Sequence, residues 1–190
     1  MRAADPGQSA LLALDVIDVL NRRQVPYAII GAFAASFYGV VRASLDVDAV
    51  ISLRPGQAEL KALTDELDQA GLKTTYRQGD SRDPVGAVLN VEDVFRNRVD
   101  LLMDIHGMTD TVFSRTVEAA FMSTNIHVIG LEDFIAMKLF AGNPKDLDDV
   151  AGAFRVSAGR IRLPLLKELV GLYGTDAVQR LESLLREHTP

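Results

Sequence analysis

Up to Gly130 the spacing of apolar residues switches repeatedly between strand-like alternation and a helical repeat, and from Leu131 to His188 it is helical throughout. No other feature constrains the fold as strongly. Strands mixed with helices, then helices alone, predict an α/β (α+β) protein. Residues 1–130 should form a mixed sheet flanked by helices, and residues 131–190 a C-terminal helical part packed on that core. No internal repeat, low-complexity tract or Pro/Ser-rich linker marks the boundary. A chain of 190 residues can close a single core, so the two parts are not expected to separate cleanly.

Along the chain, Leu11, Leu12, Val16, Val19 and Leu20 predict an amphipathic helix between Gln8 and Gln24, stopped by Pro26. Tyr27 to Ile30 reads as a short buried strand, Ala32 to Tyr38 as a small-residue helix closing at Gly39, and Asp46 to Ser52 as a strand. Pro55 opens a helix that runs to Ala70, with Gly71 as its cap. Leu72–Tyr76 and Ala87–Val91 are strand candidates on either side of a loop-like stretch from Arg77 to Pro84. Arg98 to Ile105 is a further strand, followed by a helix expected from Thr109 to Ala119 and a strand from Ile126 to Ile129. Four helices complete the chain: Leu131–Ala141, Lys145–Phe154, Leu163–Leu172 and Thr175–His188. Leucines at helical intervals in the last two would pack on the core or form a dimer contact.

The chemistry lies in the carboxylates. In a strand, Asp46 and Asp48 face the same side, about 7 Å apart. Carboxylate oxygens are hard ligands suited to Mg²⁺, which takes one or two of them together with substrate phosphates. A third carboxylate on a neighbouring strand would complete a site for two ions about 3.5–4 Å apart. Asp100 is the favoured candidate; Asp104 shares its face but lies about 13 Å further along. Such charges also occur on exposed strand edges, where they discourage aggregation. Gly31 follows an apolar strand and opens a helix, which suits a phosphate cradle at the helix N-terminus and equally suits a plain tight turn. The chain has no cysteine and 3 histidines, His106, His127 and His188, scattered along it. Thiol catalysis and cysteine-ligated metal are thereby excluded, and any metal must be held largely by carboxylates.

The run from Ile30 to Asp48, with Gly31, Gly39, Arg42, Ser44, Asp46 and Asp48 in order, resembles the signature of the nucleotidyltransferase superfamily, the polymerase-beta-like fold. More narrowly it is similar to the branch of AbiEii-type toxins and small uncharacterised nucleotidyltransferases. Leu131-Glu-Asp-Phe-Ile-Ala-Met-Lys138, followed by Gly142-Asn-Pro-Lys145-Asp146 and Asp149, resembles the later helix-turn-helix block of that branch. Where those proteins carry Gly-Gly or Gly-Ser, this chain has Gly31-Ala32. The resemblance implies transfer of a nucleoside monophosphate from an NTP to an acceptor hydroxyl, with two Mg²⁺ ions on Asp46, Asp48 and Asp100. It further implies a nucleotide held by Gly31, Ala32, Arg42, Ser44, Lys138 and Lys145. The acceptor could be RNA, protein or a small molecule, and a cognate antitoxin or a second copy of the chain are the protein partners it suggests. A second expectation keeps the fold without catalysis, as a nucleotide- or protein-binding module.

Several residues have competing readings. Lys138 sits in an apolar helix and reaches either the site or, by snorkelling, solvent. Arg42 could meet phosphate or pair with Asp46 or Asp48. Asp149 could orient Lys138 or Lys145, or be surface charge. His106 reads as a strand-end surface residue rather than a proton carrier facing the cleft, and Phe33, Phe37 and Tyr38 as core packing rather than base stacking. The net charge of −6 argues against broad nonspecific nucleic-acid binding. A polar N-terminus and the lack of a spanning apolar run predict a cytoplasmic location with no membrane partner.

Overall fold

The computed structural model describes residues 1–54, 58–122 and 124–188. Among them, seven strands form one mixed sheet in the order β3-β4-β5-β2-β1-β7-β6. In chain order the strands are β1 (Tyr27–Ile29), β2 (Asp46–Ile51), β3 (Lys73–Gln78), β4 (Val85–Glu92), β5 (Arg98–Ile105), β6 (Val117–Phe121) and β7 (Thr124–Val128). The helices are α1 (Ser9–Arg22), α2 (Gly31–Phe37), α3 (Ala58–Gln69), α4 (Leu131–Ala141), α5 (Pro144–Ser157), α6 (Leu163–Leu172) and α7 (Thr175–His188). The expected start of α3 at Pro55 lies outside the described residues.

Period-2 alternation divides the two faces of the central strands. Val99, Leu101, Met103 and Ile105 of β5 are buried, as are Val47, Ala49 and Ile51 of β2 and Ala87, Leu89 and Val91 of β4. The apolar side of α1 (Leu12, Val16, Leu20) covers this face, and Leu60, Leu63 and Leu67 of α3 pack beside it. The opposite face keeps Asp46, Asp48 and Asp100 only partly buried. One-sided burial is what leaves a row of carboxylates available to solvent.

Two adjacent strand pairings create the site. β2 and β5 run parallel, with Asp46 opposite Arg98 and Asp48 opposite Asp100. β4 runs antiparallel to β5 and sets Asn90 opposite Asp100 and Glu92 opposite Arg98. The segment expected to be a helix from Thr109 to Ala119 divides instead. Asp110–Arg115 is a 3-10 helix, and Val117–Phe121 is the edge strand β6, antiparallel to β7 with Ala119 opposite Ile126. Glu118, Ala119 and Ala120 favour helix locally, and ladder pairing with β7 overrides that preference. Strands β3 and β4 extend further into the expected loop, leaving a short turn fastened by Asp80 and Asp83.

α4 is the hub of the helical part, packed by α5, α6 and α7. A helix apolar on every side must be buried, and all its residues from Leu131 to Leu139 are. The three ionisable residues among them are each paired: Glu132 with Arg162, Asp133 with Arg115 and Lys138 with Asp146 and Asp149. Phe134 packs against Tyr38 at 5.4 Å, and the Tyr38 hydroxyl donates to the Ile129 carbonyl at 2.6 Å. The apolar cluster therefore runs without a break from the sheet into the helices. Among the described residues no helix is long and apolar enough to cross a membrane. Phe134→Ala should lower stability by about 3–5 kcal/mol, as expected for deleting a fully buried aromatic ring. Urea denaturation measures this, and a loss below about 1 kcal/mol would show that the contact is peripheral.

Candidate active site

Asp48 is the most constrained acid of the three. Its backbone carbonyl accepts from Ile30 N at 2.9 Å, which locks β2 to the turn at Gly31. Gly31 has φ +62, and a Cβ there would lie 2.1 Å from Asp48 Oδ2. Any side chain at residue 31 would displace the carboxylate, so the glycine serves the acid as much as the turn. Burial pushes the Asp48 carboxyl up to about 6, and the neighbouring Asp46 and Asp100 charges push in the same direction, against smaller opposing effects of Lys138 and Arg98. That mutual influence is the electrostatic signature of three acids gathered on one face.

Arg98 joins the other two. Its Nη2 lies 2.9 Å from Asp46 Oδ2 and 2.9 Å from Asp100 Oδ2, so these oxygens are at most twice that distance apart. Ser44 Oγ holds the other oxygen of Asp46 at 2.8 Å, and Asn90 Nδ2 holds the other oxygen of Asp100 at 2.7 Å. Carboxylate oxygens are the donors that hard divalent cations take, and here a guanidinium sits between two of them. Among the described residues no three acidic or imidazole groups enclose one ion as they stand. Asp104 lies at the far end of the same face of β5, exposed and away from this group.

The remaining candidates are distributed unequally. Ala32 and Ser44 lie beside Asp46, along an open cleft of about 530 Å³ that Phe33, Phe37 and Phe121 also line. That volume accommodates a nucleoside or a small acceptor. Arg42 lines the cleft too and pairs with Asp149 at 3.4 Å, rather than with Asp46 or Asp48. Among the described residues its buried Nε has no hydrogen-bond partner. Lys138 is 4% exposed, which excludes snorkelling to solvent. Its ammonium lies 2.5 Å from Asp146 Oδ1 and 2.8 Å from Asp149 Oδ2; the second contact is an ion pair without hydrogen-bond alignment. Lys145 is exposed at the start of α5 and takes no part in these pairs. His106 is exposed and stacks on Phe140 at 5.6 Å.

Three positioning residues gave no sequence signal of their own. Ser9 Oγ donates to Leu45 O at 2.5 Å and accepts from Arg98 N at 3.1 Å, tying the start of β2 to the start of β5. Asn97, buried beneath it, binds Gln8 N and the Asp93 carboxylate. Arg98 itself was visible only as the strand entrance; its position two residues before Asp100 is the periodicity that places both on one face.

The sequence matches no family model and no curated protein. The fold does have counterparts among solved structures. One is ANT(2″)-Ia in complex with adenylyl-2″-tobramycin, with 16% identity and TM-score 0.55 over 87% of this chain and 96% of that one. Another is an antigenic nucleotidyltransferase-like protein from Paracoccidioides brasiliensis, with 11% identity and TM-score 0.54 over 96% of this chain and 88% of that one. A third is the lincosamide antibiotic adenylyltransferase LnuA bound to lincomycin, with 11% identity and TM-score 0.50 over 81% of this chain and 99% of that one. At these identities the likeness is one of fold.

Two outcomes follow from the site's electrostatics. The folded pKa of Asp48 lies above its ordinary 3.8, so ionising it costs stability. Without metal, the penalty is absent below about pH 4, grows as pH rises towards about 6 and is constant above that. Asp48→Asn removes it, and metal-free melts at pH 8 should show the variant more stable by up to about 3 kcal/mol, the gain vanishing near pH 4. Equal stability at pH 8 would contradict this. Lys138→Met strands the buried Asp146 charge, leaves Asp149 with Arg42 alone, and should cost about 3–5 kcal/mol in chemical denaturation. A neutral effect would mean that the ammonium is not their counter-ion.

Proposed function

We propose, for a chain whose fold is that of the nucleotidyltransferases, that it transfers a nucleoside monophosphate from an NTP to an acceptor hydroxyl. The observation that carries this reading is the register of β2 against β5, which brings Asp46, Asp48 and Asp100 to one face beside the Gly31 turn. Asp46, Asp48 and Asp100 would hold two Mg²⁺ ions, which when bound neutralise charge on the triphosphate and polarise the phosphorus under attack. Such a transfer asks the protein for positioning and electrostatics rather than covalent chemistry.

The chain's own groups then divide the work. The backbone N–H groups of Gly31 and Ala32 donate to the β- and γ-phosphates, and Arg42, on the wall of the cleft, neutralises their charge. Ser44 acts one step removed, by orienting Asp46. Asn90 fixes one oxygen of Asp100, leaving the carboxylate placed to take the proton of the acceptor hydroxyl. Lys138 contributes its charge from behind, favouring ionised Asp48, and Lys145 adds an exposed ammonium beside that cluster. The intact acid set supports catalysis over a silent binding module. Residues 131–190 act as a helical part that completes the nucleotide side of the site through Asp149 and Arg42.

A small hydroxyl-bearing acceptor fits better than RNA. The net charge is −6, and two of the similar structures contain small antibiotics or their adducts. The narrower AbiEii-type kinship, with an antitoxin as partner, rests on the blocks around Gly31–Asp48 and Leu131–Asp149. Label transfer from α-labelled NTPs to a panel of hydroxyl compounds tests the reading. Transfer should require a divalent cation and fall at least about 100-fold in Asp46→Asn and in Asp48→Asn. Full activity in both variants would overturn it.

A further inference from the structure

We infer that Arg98 is a resident cation of the metal-free site, which divalent ions must displace, and that Glu92 is the seat to which it moves. This rests on the metal-binding role given to the carboxylates above. One nitrogen of Arg98 shares Asp46 Oδ2 and Asp100 Oδ2 at 2.9 Å each. The other oxygens of these acids are already held by Ser44 and Asn90. Arg98 thus occupies the two carboxylate oxygens that neutral donors leave over.

The arm is built to move. Its side chain is 46% exposed, against 14% for Asp100 and 30% for Asp46, so it covers the acids from the solvent side. Its backbone is fastened by the bond from Arg98 N to Ser9 Oγ, and among the described residues its side chain is held by the two acids. Across the antiparallel pairing, Glu92 of β4 lies directly opposite Arg98, on the same face and partly buried. Residues opposite each other on antiparallel strands have Cβ atoms about 4.5–5.5 Å apart, within reach of a guanidinium that lets go of β2. Asp46 and Glu92 therefore flank Arg98 as alternative partners, one inside the site and one outside it. Apart from Arg98 itself, the charged groups around this exchange are Asp46, Asp48, Asp100 and Glu92, with Lys138 acting on Asp48 and Lys73 of β3 opposite Glu92 on its other side.

Partly exposed ion pairs are weak enough to be exchanged for a divalent cation, and still strong enough to suppress its binding measurably. Arg98 then guards the unloaded site against self-repulsion and sets a threshold of metal concentration.

Mn²⁺ alone serves as the probe, with its binding to the full chain read by the loss of free-ion EPR signal and by the shift in melting temperature. Arg98→Met should bind Mn²⁺ about tenfold more tightly than wild type. It should also melt lower without metal and gain more on adding it. Glu92→Gln, which removes the alternative seat, should bind Mn²⁺ several-fold more weakly with its metal-free melting temperature unchanged. Arg98→Lys retains the charge with fewer donors; it should fall between wild type and Arg98→Met, and decides the matter if the methionine variant does not fold. Wild type that binds Mn²⁺ with no tightening in the Arg98 variants overturns the displacement while leaving the metal site standing. Failure of wild type and of every Arg98 variant to bind Mn²⁺ overturns both. Unchanged binding in Glu92→Gln overturns Glu92 as the seat.

Discussion

Like charges on neighbouring parallel strands are the constraint around which this molecule is arranged. The pairing of β2 with β5 sets Asp48 opposite Asp100 and leaves Asp46 one pleat away. Nothing in folding favours such a row, because three carboxylates half removed from water repel one another. The surroundings offset the repulsion piece by piece: Arg98 bridges two acids, Ser44 and Asn90 hold their free oxygens, and Gly31 leaves room for the third. Residual destabilisation shows in the raised Asp48 pKa, the kind of local cost that functional sites carry.

The helical part repeats the theme in reverse. α4 enters the core carrying Glu132, Asp133 and Lys138, and each finds a counter-charge from another element. Buried pairs of this kind add little net stability, because desolvation cancels most of the attraction. Their effect is to specify orientation: Arg162 fixes the start of α6, Arg115 fixes the 3-10 helix before β6, and the Lys138 cluster fixes α5. Through Asp149 that last cluster also reaches Arg42, on the loop leading to Asp46. The position of a site loop is thereby tied to the packing of a helix more than ninety residues later in the chain.

Much of this was legible in the residues. Period-2 spacing placed Asp46 and Asp48 on one face, and helical spacing identified α1 and α4 to α7 closely. The segment 117–121 carries a misleading local pattern, because its alanines and glutamate favour helix while its partner strand lies beyond the turn that follows. Arg42 and Lys138 were recognisable as charges near the site, but their partners were not, since ion pairing depends on elements distant in sequence. Arg98 escaped notice for the same reason: a cation at a strand start is ordinary until its neighbours across the sheet are known.

Read along the chain alone, the residues specify the class of the fold, the alternation that turns two aspartates to one side, and the absence of thiol chemistry. These are local or compositional properties, set by backbone periodicity and side-chain type. Packing in three dimensions is what puts β5 beside β2 in the register matching Asp100 to Asp48, spans the acids with Arg98, and turns Lys138 to Asp146 and Asp149 inside the core. Strand order and register come from the packing of whole faces against α1 and α3, and a one-residue slip of β5 would have turned Arg98 and Asp100 to the other side of the sheet.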